Sequence, residues 1–313
     1  MGLFRRGPKR DPRDAPRDPA FEFMSFEEGR RLRALTRESF AECGLEVSVY
    51  ADHMTDASGR HYNLYNLAAG CHNDERGPRA WPILIQDHVQ KLVRAMDSPA
   101  LATMPADELW ARLYPRITAD DSLPDDPAFA YAPVPAPGLR EVLGLDLPES
   151  VQTLPADALA ELGDLPSLRL RAMNNLRALP IEDHDVVKHT DGANFHLIAG
   201  DSFFTASRAL VLDDLVPRVT GQPLGPDGAL VALPFRHLLA FHPITGMDVV
   251  PSLTAMAAFA AYRHDEAPGP VSPYAYWWRR GRLVQLSERS PDGLAIVVDQ
   301  EFSALLERLL GEE

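Results

Sequence analysis

The chain has 313 residues, 45% hydrophobic and 24% charged, enough to bury one large core or two ordinary ones and too apolar for global disorder. Its net charge of −14 disfavours nucleic-acid backbones and anionic membrane surfaces as partners. Two cysteines, Cys43 and Cys71, exclude a disulfide framework and imply a reducing, cytoplasmic setting.

Residues 1–20 carry six basic and three acidic side chains and no apolar period. A disordered basic tail is expected there, and its lack of an apolar h-region excludes a secretory signal. Folding is expected to begin at "SFEEGRRLRALTRESFAECG". Ser25 and Glu28 form a capping box, Gly44 stops the helix, and Phe26, Leu32, Leu35 and Phe40 recur near helical spacing. "LEVSVYADHM" and "HYNLYNLA" predict two strands around the turn "DASG". "PILIQDHVQKLVRAM" predicts an amphipathic helix with Pro82 in its first turn. These elements make a helix–hairpin–helix module over 21–118, extended by a short helix in "PADELWARLYPRI". The Pro- and Asp-rich stretch 119–138 predicts a linker.

Residues 139–313 mix strands and helices without strict βαβ alternation, which predicts an α+β domain and an α+β class for the whole chain, with mixed or antiparallel sheets. "LREVLGLDL" reads as a strand; "PADALAEL" and "SLRLRAMNNLRAL" read as helices. "ANFHLIA" and "SFFTASRALVL" predict an antiparallel pair, followed by a short helix "DDLVPRV". "ALVALPFRHLLAFH" predicts a single strand, "SLTAMAAFAAYRH" a helix and "YAYWWRRGRLVQL" a hairpin. "LAIVVD" predicts a last strand, and "QEFSALLERLL" a last helix. The longest largely apolar run, Leu253–Tyr262, is about half of a membrane span.

Six fragments carry a resemblance: "NLYNL" before "ILIQDHVQKLV", "LYPRI", "LGLDLPESV", "RAMNNL", "GDSFFTAS" and "ALPFRHLLAF". In this order, over about 25–245, they resemble the YtpQ-like bacterial family of unknown function. The resemblance implies a cytosolic bacterial protein and carries over no catalytic residue. The chain departs from the family at Arg236-His237, where members tend to have Arg-Asp.

The densest group of potential ligands is "EDHDVVKHTDGANFH" (182–196). His184, His189, Asp191 and His196 are its candidate metal ligands, but their spacing matches no compact metal motif, and a solvated loop without metal is expected. Asp201, Ser207, Arg236 and His237 are the candidate catalytic residues. Ser207 lies outside any GxSxG elbow, so it would need a distant base such as His237 or His242. Arg236 suits bidentate capture of a carboxylate or phosphate, or an ion pair with an acidic neighbour. The aromatic–arginine mix at 274–282 predicts a hairpin rather than a single-strand binding surface. No nucleotide or calcium motif is present, so no cofactor is expected. The sequence thus favours a non-catalytic interaction protein that binds another protein. The alternative is a hydrolase or metal-dependent enzyme centred on 182–207 with Arg236.

Overall fold

The computed structural model describes residues 16–96, 104–148, 150–290 and 293–311. The fold is α+β, in two compact units that divide between Asp97 and Ser98.

In the first unit, α1 (Phe26–Glu42) begins at the expected capping box. The Ser25 N–H donates to Glu28 Oε2 at 2.8 Å, and the Ser25 hydroxyl accepts from Glu28 N. Gly44, at φ 78°, takes the left-handed conformation that ends the helix. Leu32 and Phe40 are buried as the helical period requires, whereas Phe26 is exposed. Three antiparallel strands follow: β1 (Val47–Val49), β2 (His53–Asp56) and β3 (His61–Asn63), in the order β1-β2-β3. The expected first strand is thus two, broken at Tyr50–Asp52, where Leu64 N donates to Asp52 O. The expected second strand ends early. The Asn63 side chain accepts from Tyr65 N and starts α2 (Tyr65–Asn73). The last helix, α3 (Trp81–Met96), brings Trp81, Ile85 and Val89 against Leu32, Phe40, Met54 and Tyr62.

Residues 16–20 lie in the expected tail but pack on this core. Pro16 O accepts from Phe26 N, and the fully buried Asp18 accepts a forked pair from Arg33, both at 2.8 Å. Asp18 crosses α1 at Gly29, where a Cβ would stand 2.0 Å from its Oδ2. Residues 1–15 of that tail lie outside the described residues.

In the second unit, α4 (Ala106–Ala111) leads into β4 (Leu113–Ala119), which pairs antiparallel with β5 (Leu139–Leu147) from Leu113↔Leu145 to Ala119↔Leu139. The expected linker 119–138 therefore joins two neighbouring strands of one sheet. It folds down through the buried Ala132 and Ala136 and a 2.7 Å bond from Tyr131 Oη to Leu154 O. β6 (Ser150–Thr153) completes that sheet, with α5 (Ala156–Leu162) and α6 (Leu165–Ala178) after it. Leu143, Leu145, Leu159, Leu168 and Ala172 form its core.

The remaining chain builds a six-stranded antiparallel sheet. β7 (Asp183–Lys188) and β8 (Asn194–Ala199) form a hairpin, so most of the expected ligand loop is strand. The stretch after β8, expected as a strand, turns instead. The Ser202 hydroxyl accepts from Phe204 N, and Ser202 O accepts from the Thr205 hydroxyl. A 3-10 helix over Ala206–Val211 then runs into α7 (Leu212–Thr220). The expected single strand at 229–242 is two, β9 (Ala229–Phe235) and β10 (Leu238–Pro243), with Arg236 and His237 at the turn. After α8 (Val249–Glu266) come β11 (Ala275–Arg279) and β12 (Arg282–Gln285), joined at Arg280-Gly281, both at positive φ. β13 (Ser287–Ser290) and β14 (Gly293–Ile296) form a separate two-stranded sheet before α9 (Gln300–Gly311).

The strand order is β12-β11-β9-β10-β8-β7. Both faces are covered. Val231, Leu233, Leu239, Phe241 and Tyr276 pack with the 3-10 helix and α7; Leu230, Ala232, Phe195 and Trp277 pack with α8 and α9. Two-sided burial is why β9 reads "ALVALPF" and not as an apolar/polar alternation.

Candidate functional site

The 3-10 helix sits where the two larger sheets of the second unit approach each other, and it spends its polar side chains on structure. Ser207 is buried, and its Oγ accepts from Ile117 N at 2.9 Å, closing the outer edge of β4. Among the described residues, no imidazole is hydrogen-bonded to it. The buried Arg208 donates to the carbonyls of Leu179 and Pro180, tying the end of α6 to the helix. Beside it Phe204 is fully buried and stacks on Tyr114 of β4, with ring centres 4.6 Å apart.

Of the four candidate catalytic residues, Arg236 and His237 bond to each other, and neither bonds to Ser207. Arg236 Nε donates to His237 Nε2 at 2.9 Å, and the Arg236 guanidinium lies 4.4 Å above the Phe203 ring. Ala206 N donates to Arg236 O, and Arg236 N donates to Gly269 O, so backbone bonds on both sides fix the turn. Gly269 has φ 70°, and a Cβ there would stand 2.7 Å from Arg236 Cδ, so only glycine lets the arginine lie flat against this segment. Asp201 is exposed, and its N–H donates to Glu182 Oε2.

The electrostatics are unusual for so acidic a chain. Burial, reinforced by the charge of Arg116, pushes the Arg236 guanidinium down to about 10. Arg116, on β4, is itself lowered by burial, and its Nε is buried without a hydrogen bond. Neither guanidinium has a carboxylate partner among the described residues, in contrast with Arg33, Arg169 and Arg177, which are paired with Asp18, Glu141 and Asp214. Burial, and then Arg236, drives His237 down to about 4, so it is neutral near pH 7 and accepts the Arg236 proton donor. Arg116 and Phe203 are invisible to a local sequence reading, because each is brought to Arg236 by a different element. The one signal in the sequence is Arg116, the one charged residue of the strand, on the face it shares with Tyr114 and Thr118.

The candidate metal ligands separate into two places. His184 on β7 and His196 on β8 meet across the hairpin, Nε2 to Nδ1 at 2.9 Å, with His196 stacked on Phe241. Burial first, then His184 and His242, drive His196 to about 4. His189 and Asp191 belong to the turn, where Asp191 Oδ1 accepts from Ala193 N. Among the described residues no three His, Cys, Asp or Glu side chains gather in a metal-holding group. His242 is buried near Asp248, 3.7 Å away, and does not reach Ser207.

No family model matches the chain, and neither a curated protein nor a solved structure is similar to it. The YtpQ-like resemblance rests on the six sequence fragments.

A last surface stands apart from these polar groups. Leu294, Ile296, Val297 and Val298 are each about two-fifths exposed along and just beyond β14, in a sheet of only two strands. Among the described residues, no helix is long and apolar enough to cross a membrane.

Proposed function

We propose that the chain is a non-catalytic, cytoplasmic interaction protein whose partner is another protein. The exposed run Leu294–Val298 carries this reading. Sheet edges are normally blunted by lysine, proline or a bulge, because unpaired strand groups recruit other strands. Here Gly293–Val298 contains no charge and no proline, and its large side chains face solvent. An extended apolar segment of a partner, added beside the β13–β14 hairpin, would cover them. The net charge of −14 supports a protein partner over a nucleic acid. Ser207, engaged with the backbone of β4, supports a non-catalytic role.

The test is site-specific photo-crosslinking in the cell that makes the protein. A crosslinker at Ile296 is expected to capture one discrete partner chain, which a crosslinker at the exposed Asp157 on α5 does not. Leu294→Lys is expected to abolish the product while leaving the circular dichroism unchanged. Crosslinks only between two copies of this chain, or none at 296, overturn the reading.

A further inference from the structure

We propose that Arg116 and Arg236 form a binding site for a phosphate dianion, either free phosphate or the phosphoryl group of a small phosphomonoester. Burying a guanidinium is costly unless a carboxylate or another oxyanion compensates it. This chain has 45 carboxylates to offer, yet none pairs with either arginine among the described residues. Both arginines are instead brought to the same 3-10 helix: Ile117 N, next to Arg116, donates to Ser207 Oγ, and Ala206 N donates to Arg236 O. Such an arrangement weakens the fold when empty and is relieved by an anion of matching charge.

The geometry suits capture. Arg236 is held on one side by the Phe203 ring at 4.4 Å and on the other by Gly269, while its Nε is taken by His237. Among the described residues that Nε bond is the only hydrogen bond of this guanidinium, and Phe203 and Gly269 confine it from two sides. Arg116 supplies a second guanidinium, whose buried Nε has no hydrogen-bond partner, from strand β4. Two positive charges match a dianion better than a monoanionic carboxylate, and planar guanidinium forks fit tetrahedral phosphate oxygens. Arg236 and His237 are on a hairpin turn fixed by backbone bonds to Ala206 and Gly269, so little ordering is left for binding to do. The negative charge of the chain as a whole turns away long polyanions, which restricts the ligand to a small one.

The test is calorimetric titration of the full chain in chloride buffer, at about pH 8, where a phosphomonoester is dianionic. Inorganic phosphate, O-phosphoserine and acetate are titrated separately. One saturable site is expected for at least one of the phosphate probes, and whichever binds more tightly tells free from esterified phosphate. Arg116→Gln and Arg236→Gln are each expected to weaken it by about tenfold or more. The exposed Arg30→Gln is expected to leave binding unchanged. Arg236→Lys keeps the charge but loses the fork, and an intermediate loss there supports the site even should Arg236→Gln fail to fold. No saturation by either phosphate probe at about 10 mM overturns the proposal. Acetate binding as tightly as phosphate, or wild-type affinity in a folded Arg116→Gln or Arg236→Gln variant, overturns it equally.

Discussion

Asp18 is the residue on which the start of the fold turns. It is fully buried, bonds both ends of the Arg33 fork and accepts from Ala20 N. Burial alone would raise its carboxyl; the Arg33 hydrogen bonds and the Ala20 N–H outweigh it, and the pKa is lowered. A carboxyl lowered in the folded state stabilises above its unfolded pKa, about 3.9, and that stabilisation is lost as pH falls through the folded value. Asp18→Asn is therefore expected to cost about 2 kcal/mol near neutral pH. Below the folded pKa of Asp18 the two proteins should converge. Urea midpoints of both proteins across the acid range check this; a constant gap at every pH would assign the loss to packing against Gly29 instead. In the sequence Asp18 is one charge among many in a Pro- and Arg-rich stretch, and its partner lies 15 residues away. The Ser25–Glu28 box was legible because both partners lie within one helical turn. The same contrast governs the candidate site. Arg236 and His237 are neighbours in sequence, while Arg116 and Phe203 reach them only through the tertiary fold.

At the scale of elements, helices were the legible part: α1, α3, α6, α8 and α9 all stand within a few residues of the expected helices. Strands buried on both faces were harder to bound, since "ALVALPFRHLLAF" has no polar alternation to mark the turn at Arg236-His237. The segment 202–212 departs from the expected strand for the same reason. Its apolar run fits either period, and the local bonds from Phe204 N and the Thr205 hydroxyl to Ser202 decide for a turn and a 3-10 helix. This element joins the sheet containing β4 to the six-stranded sheet, and two substitutions probe it. Phe204→Ala removes a fully buried ring stacked on Tyr114 and is expected to cost about 3–5 kcal/mol. Ser207→Ala leaves the Ile117 N–H without its acceptor inside the protein, and is expected to cost about 1–3 kcal/mol. Denaturant unfolding measures both. A neutral Ser207→Ala would mean that the edge of β4 finds another acceptor. Labelling of Ser207 by a serine-reactive phosphonate, with the fold intact, would reinstate it as a nucleophile.

At the scale of the whole molecule, the chain builds separate cores on either side of the division at 97/98. Leu32, Phe40, Met54, Trp81 and Ile85 close one of them entirely within the first unit. The cores of the second unit draw on residues from Leu109 onward, with Phe241 and Val231 central to the largest. The Pro- and Asp-rich composition of 119–138 pointed to a boundary, because composition reports solvent exposure. It cannot report that the strands flanking the stretch pair residue for residue, as β4 and β5 do. Two compact units, each with its own core residues, are expected to melt as separate cooperative transitions. Differential scanning calorimetry should then resolve two transitions. Leu32→Ala, which opens a cavity in the first unit, should lower only one of them, by roughly the 2–5 kcal/mol of a buried leucine truncation. Phe241→Ala should lower only the other, by about 3–5 kcal/mol. A single transition that both substitutions shift together would show that the two units unfold as one.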